Sequence, residues 1–170
     1  MKILKNNGFV YSLGLAAIAA AALISNAQAA PDTASTTGNA SATVITPITV
    51  AESVAMSYGT FAASPTIAGT LVLGTNGSVT ATNVDYVSGA VPGEFNVTGT
   101  ASATYAVSAI SDITLTSGTD TMTISSVNTS GGTLTAGGID TVLVGGTLNV
   151  GAGQAAGSYT GTYAVTVTYN

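Results

Sequence analysis

Seven acidic side chains are the main groups of this sequence that could do acid–base chemistry: Asp32, Glu52, Asp85, Glu94, Asp112, Asp120 and Asp140. Glycoside hydrolysis needs two carboxyl groups that face each other across a sugar, usually with aromatic side chains that grip it. Here the acids are scattered singly, there is no tryptophan, and most lie beside Gly, Ser or Thr in segments typical of turns. Because turn acids usually cap the backbone or stay solvated, the sequence predicts no catalytic pair.

Histidine and cysteine are both absent from the sequence. Nucleophilic catalysis by a Ser-His-Asp or Cys-His arrangement is therefore excluded. Zinc, copper and haem sites are excluded on the same ground, since they normally use those two residues as ligands. A calcium loop built from acids and backbone carbonyls stays open as an alternative, although no Asp-x-Asp-x-Asp run supports it. We expect neither an enzyme nor a cofactor-binding protein.

The first 29 residues have the three parts of a secretory signal peptide. Lys2 and Lys5 form a short basic start, an uncharged apolar run extends from Leu13 to Ile24, and Ala27 and Ala29 supply the small residues before cleavage. The run is too short to cross a bilayer comfortably, so cleavage after Ala29 is favoured over an uncleaved anchor. The processed protein is predicted to have no membrane span and to lie in the periplasm, on the cell surface or outside the cell.

Removing that segment leaves a chain without any basic side chain, because Lys2 and Lys5 are the only two in the sequence. Seven acids against no Lys, Arg or His give the mature side chains a net charge of −7. Nucleic acid binding is excluded, since phosphates need Lys or Arg to displace their counterions, and an anionic membrane would repel the chain. An exported domain without disulfides must be held together by its core.

The composition favours strands and glycine turns, since Thr, Val, Gly and Ala dominate and strong helix formers are scarce. Residues 30 to 39 are small, polar and unpatterned, which predicts a flexible leader before a single domain at residues 40 to 170. Extended segments are predicted at Ala42 to Val50, Thr70 to Leu73, Ser78 to Thr82, Glu94 to Thr98, Ala103 to Ser108, Asp112 to Thr116, Thr121 to Val127 and Thr141 to Val150.

Residues at three places, within or between these segments, constrain how the segments lie in a sheet. Pro47 indicates that the first segment lies near an edge, because proline cannot donate to the hydrogen-bond ladder. Asn76-Gly77 predicts a hairpin between the second and third segments. Gly145-Gly146 predicts either a two-residue hairpin or a bulge within the last one.

The final segment has the clearest alternation in the chain. Its core-facing set is predicted to be Tyr159, Gly161, Tyr163, Val165, Val167 and Tyr169. Successive strand side chains point to opposite faces, so one face of this strand is built to pack on a core. Roughly eight to ten short strands without an amphipathic helix predict an antiparallel Greek-key or immunoglobulin-like β-sandwich, with a closed barrel as the alternative.

The C-terminal third also resembles a known bacterial family. The stretches that carry the resemblance are Val144 to Val150, Gln154 to Tyr163 and Val165 to Tyr169, with weaker similarity back to about Ser41 through Pro47 to Val50, Tyr58 to Phe61 and Phe95 to Gly99. They are similar to the domain of unknown function 4402, which looks related to spore coat protein U and to the pilins of the chaperone–usher system. A penultimate aromatic, Tyr169, and a glycine fourteenth from the end, Gly157, resemble a pilin ending.

The resemblance implies a structural role. In pilins a periplasmic chaperone grips the alternating last strand, and subunits then polymerise by inserting an N-terminal strand of one into a groove of the next. We therefore expect an exported subunit of a surface fibre, fimbria-like filament or matrix that self-associates by strand addition, with assembly residues Gly157, Tyr159, Tyr163, Val165, Val167 and Tyr169. The leader, Ala30 to Asn39, lacks the alternation of a pilin donor arm, and Ala42 to Val50 alternates poorly across Ile45-Thr46-Pro47. The donor therefore stays open, with the alternative that Ala42 to Val50 is the first strand of a complete sandwich. A secreted adhesin or carbohydrate-binding sandwich, with its site on the loops, is the alternative.

Overall fold

The computed structural model describes residues 33–170. The predicted signal peptide and its cleavage residues, Ala27 and Ala29, lie outside the described residues, as does the start of the leader. Residues 33–48 have no regular secondary structure. An N-terminal unit ends at Ser41, and a compact unit extends over Ala42–Asn170. Residues 33–45 are called the N-terminal arm below.

Every regular element of the described residues is a β-strand, and all the pairings are antiparallel. The strands are β1 Thr49–Val54, β2 Ser57–Ala63, β3 Gly69–Leu73, β4 Val79–Thr82, β5 Val84–Val91, β6 Gly93–Thr98, β7 Tyr105–Val107, β8 Ile113–Ser117, β9 Asp120–Thr129, β10 Ile139–Val150 and β11 Val167–Tyr169. The sheets pack in a sandwich-like arrangement, which confirms the predicted all-β antiparallel fold.

The larger sheet has seven strands and is organised around β10. Its strands follow the order β1-β6-β10-β3-β4, with β9 paired to β10 and β8 paired to β9. β10 has 12 residues, so it pairs first with β6 and then, past Val144, with β3. Two smaller pairs, β2 with β5 and β7 with β11, complete the fold.

The local predictions at Pro47, Asn76-Gly77 and Gly145-Gly146 each have an outcome. β1 pairs with β6 alone among the described strands, so it lies at an edge, although it begins only at Thr49. The hairpin is confirmed, with Leu73 opposite Val79 and Gly77 at a φ of 78°. β10 runs straight through both glycines and its register with β9 shifts there, so the bulge is correct and the hairpin is wrong.

The sequence analysis did not predict two of the strands, β2 and β5. Gly59 and Gly89 lie within them with φ values of 68° and 86°, and a Cβ on Gly59 would collide with the backbone of Ser88 and Gly89. Only glycine allows both the positive φ and this close approach. The register shifts between Thr60 and Phe61, so the alternation that marks a strand is interrupted.

The interior consists of two clusters of buried apolar side chains. The first core contains Tyr58, Leu71, Leu73, Val84, Ile113, Met122, Ile124, Leu148 and Val150. The second core contains Phe95, Val97, Tyr105, Leu134, Val142 and Val144. β2 and β5 contribute to the first core, whereas β1 and β11 pack only against the second.

Candidate functional site: a groove between two strand edges

The C-terminal segment, residues 157–169, runs antiparallel to the stretch that contains β7 and β8. Thr160 and Thr116 exchange two backbone hydrogen bonds of 3.0 and 2.8 Å, and β11 pairs with β7 further along. Its core-facing side chains are half-buried, while most residues between them are exposed. The alternation predicted for this segment is therefore present in its burial.

A groove of about 790 Å³ separates this segment from β2. Residues 56–63 form one wall, and residues 154–161 with Tyr163 form the other. The floor consists of first-core side chains: Ile113, Leu115, Met122, Ile124 and Leu148. Within residues 33–170, β2 pairs only with β5, and the C-terminal segment pairs with β7 and β8. Both walls therefore turn an unpaired backbone edge towards the groove.

Two glycines let the C-terminal wall lie close against β8. A Cβ on Gly161 would collide with the carbonyl oxygen of Thr114 and the side chain of Leu115, and one on Gly157 would collide with the hydroxyl of Ser117. A larger residue at Gly161 would meet the backbone of Thr114 and push the wall away from β8, whereas one at Gly157 would meet only the rotatable hydroxyl of Ser117. The steric need for glycine is therefore strict at Gly161 and weak at Gly157, the glycine that resembles the pilin ending.

Two tyrosine hydroxyls near the groove have no hydrogen-bond partner among the described residues, those of Tyr58 and Tyr163. Both rings reach over glycines of the larger sheet, with the Tyr58 hydroxyl beside Gly146 and the Tyr163 hydroxyl beside Gly93. Burial raises the pKa of Tyr58, and the neighbouring Tyr163 adds to the effect. Burial, with the charge of Glu52, raises the pKa of Tyr163 to about 12, so both phenols are neutral over the physiological range.

Hydrogen bonds join the two walls at one end of the groove, and past the other end they hold β11 to the residues that precede β1. At one end the Gly153 N–H donates to the Ser64 carbonyl at 2.8 Å. Past the other end, the Tyr169 hydroxyl donates to the Thr46 carbonyl at 2.8 Å and accepts from the Thr100 N–H at 2.6 Å. The Thr46 N–H in turn donates to the Thr100 hydroxyl at 3.0 Å. Thr46, Thr100 and Tyr169 are called the clasp below.

The structure divides the six predicted assembly residues into two groups. Gly157, Tyr159 and Tyr163 line the groove. The other three, Val165, Val167 and Tyr169, pack against the second core instead. The prediction missed the β2 wall, the floor and the clasp; the stretch Tyr58 to Phe61, which carries part of the family resemblance, was the one signal for that wall.

The acids do not converge on the groove. Asp140 binds away from it, where its carboxylate accepts from the Tyr105 hydroxyl at 2.7 Å and from the Gly132 and Thr141 N–H groups. Burial alone would raise the pKa of Asp140, but these hydrogen bonds outweigh it and the pKa is lowered. Burial and the same hydrogen bond raise the pKa of Tyr105 to about 12.

Metal clusters and membrane-spanning helices are two features that would bear on function. Between Thr33 and Asn170, no three acidic side chains come close enough together to hold a metal ion. The same part of the chain contains no helix of the length and apolarity that a membrane span requires.

Fold and groove together define an all-β, sandwich-like domain with an open apolar slot between two strand edges. Comparison with protein families identifies it further: residues 48–169 match the domain of unknown function DUF4402, and the chain belongs to that family. Comparison with curated proteins and with solved structures found no match.

Proposed function

We propose that this protein is a structural subunit of an extracellular fibre or coat whose copies join by strand addition. The N-terminal arm of one copy fills the groove of the next. The observation that carries this proposal is the groove itself, where two unpaired backbone edges flank an apolar floor. A strand laid between them bonds to both edges and covers the floor, which is the general mode of strand addition. The resemblance to pilins and spore coat protein U supports the same role.

The arm has the properties of such a strand. The Val44 side chain is 95 % exposed and that of Ile45 is 54 % exposed, so two consecutive aliphatic residues are exposed to solvent. Ala40, Ala42 and Val44 alternate with hydroxyl-bearing residues, which gives this stretch one apolar face. Burying a valine stabilises by about 1.5–3 kcal/mol, so insertion of this face into an apolar groove is favourable.

Charge also favours the arm as the inserted segment. Residues 33–45 have no ionisable side chain, whereas the rest of the described chain carries only acids. Copies of the domain therefore repel one another, and an uncharged arm adds nothing to that repulsion. Because salt screens repulsion between surface charges, assembly is expected to improve with ionic strength.

This role needs no catalysis and no cofactor, since strand addition requires only the shape of the groove and backbone hydrogen bonds. Export through the signal peptide brings the subunit to the compartment where a fibre grows. A periplasmic chaperone that lends a strand to the open groove before assembly remains a prediction.

The test compares two exposed valines in the full mature chain. Val44→Asp places a charge on the arm, and Val87→Asp places the same charge on β5, where Val87 is 67 % exposed. Neither side chain is packed, so both variants should unfold at nearly the wild-type denaturant midpoint. By negative-stain imaging and light scattering, filaments should be lost in Val44→Asp and kept in Val87→Asp. Wild-type protein that stays monomeric and free of filaments would contradict the proposal.

A further inference from the structure

The clasp raises a question about the arm, because a chain that carries both a strand and a groove can also close on itself. An arm tethered to its own groove acts at an effective concentration of the order of millimolar, far above the concentration of other copies. Self-insertion would therefore outcompete polymerisation unless the geometry forbids it. The inference that follows rests on the proposed strand addition.

The clasp fixes the point where the arm leaves the domain. Thr46 has both backbone groups engaged, its N–H with the Thr100 hydroxyl and its carbonyl with the hydroxyls of Tyr169 and Thr100. Pro47 follows directly, and the residue before a proline is restricted to extended conformations. A reversal of the chain at Thr46 would thus work against both the hydrogen bonds and the backbone preference.

The direction in which the arm leaves the domain and the length of the arm both limit its insertion into the groove of its own copy. β1 runs from the clasp towards the groove, which begins at Met56, so the arm would have to turn round and run back beside β1. The predicted mature chain offers 16 residues from Ala30 to Ile45. Ten of them would be needed to cover the distance from Thr46 to Met56, and about two for the turn. About four residues would remain, fewer than the seven of β2.

Breaking the hydrogen bonds of the clasp would allow the arm to fill the groove of its own copy. The first residue held to the domain would then be Ile48, which packs against the second core. The free chain would grow by two residues, and the distance back to Met56 would shrink by two. About eight residues would reach the groove after a two-residue turn, enough to match the whole of β2.

We propose that Tyr169 is a positioning residue that directs the arm outward, so that it fills the groove of another copy and not its own. The same C-terminal segment forms one wall of the groove near Tyr159 and Tyr163 and holds Thr46, where the arm begins, through Tyr169. The clasp therefore selects the polymer over the self-closed monomer without touching the inserted strand.

The experiment uses the absence of cysteine in the chain. Ala62→Cys on β2 is introduced into the full mature chain with either Ala40→Cys, in the stretch proposed to enter another copy, or Ala34→Cys, which self-insertion would bring to the groove. Mild oxidation of the double-cysteine pair then reports which copy the arm occupies. Disulfide-linked ladders on a non-reducing gel indicate insertion between copies, and a linked monomer indicates insertion within one copy. Each pair is read in the wild-type, Tyr169→Phe, Thr100→Val and Tyr105→Phe backgrounds.

The expected result is a shift from ladders to the linked monomer in Tyr169→Phe and Thr100→Val. Tyr105→Phe removes a tyrosine hydroxyl that binds Asp140, outside both clasp and groove, and should keep the ladders. Ladders of wild-type yield in folded Tyr169→Phe and Thr100→Val would overturn the role of the clasp while leaving strand addition intact. Failure of every background to form ladders would instead overturn strand addition, and the role of the clasp with it.

Discussion

The two halves of this domain differ in whether the chain completes its own core. Over the second core, Val165 and the β11 residues Val167 and Tyr169 pack on the interior, and the clasp closes the end of the fold. Over the first core, Tyr159 and Tyr163 reach only the margin, and a groove is left between their segment and β2. One continuous C-terminal segment therefore closes one half and borders an opening in the other. In the proposed assembly, the second half is complete on folding and a strand from another copy completes the first.

Replacing one leucine with alanine in each half should give the largest difference in the free energy of unfolding between the two halves. Leu134 in the second core is 1 % exposed, so Leu134→Ala should lower the free energy of unfolding by about 2–5 kcal/mol. Leu115 on the groove floor is only half-buried, so Leu115→Ala should cost less in the monomer and more once a strand covers it. Denaturant unfolding of monomer and fibre measures both. An equal loss in the two monomeric variants would remove the distinction between the halves.

Acid should weaken the closed half through Asp140. Its pKa is lowered in the fold, so its contribution is fully present above the ordinary aspartate pKa near 4 and is lost as pH falls through the lower folded value. Asp140→Asn should remove about 1.5 kcal/mol at neutral pH and flatten the loss of stability below about pH 4. Chemical unfolding at a series of pH values tests this, with Asp120→Asn at the start of β9 as the control. An unchanged acid slope in Asp140→Asn would contradict the assignment.

The smallest expected change in stability is at the groove, and it is an increase. The Tyr58 hydroxyl is buried without a partner in the described structure, so Tyr58→Phe should raise the free energy of unfolding by up to about 1 kcal/mol. Tyr159→Phe is the matched control, because its hydroxyl bonds to the Ala155 carbonyl and the Gln154 side chain and its loss should destabilise. A destabilised Tyr58→Phe would mean that this hydroxyl does find a partner in solution.

Most of the architecture could be predicted because its signals are local. Asn76-Gly77 placed a hairpin and Pro47 placed β1 at an edge, whereas the alternation over residues 158–169 gives regular strand only at Val167–Tyr169. β2 and β5 could not be found in this way, since Gly59 and Gly89 break their patterns where two backbones touch. The two glycines of β10 left hairpin and bulge undecided, because only the pairing with β9 distinguishes them.

The candidate site could be predicted only in part, for a related reason. Gly157, Tyr159 and Tyr163 were found because they lie on one alternating strand. The opposite wall comes from residues about 100 positions earlier in the sequence and the floor from three further strands, and no local pattern reports which strand edges remain unpaired. The clasp likewise joins Thr46 to Tyr169 across 123 positions.

By itself the sequence determined the strand-forming composition of this protein and the side-chain chemistry that it lacks. Residue types decide the strand-rich composition, and the missing His and Cys and the absence of Lys and Arg after residue 5 exclude whole classes of chemistry wherever the chain folds. Only the tertiary structure decided that two strand edges stay apart over an apolar floor while Thr46 and Tyr169 are held together. An unpaired edge exists only relative to the neighbours that a strand has or lacks, and those neighbours are chosen when distant segments pack.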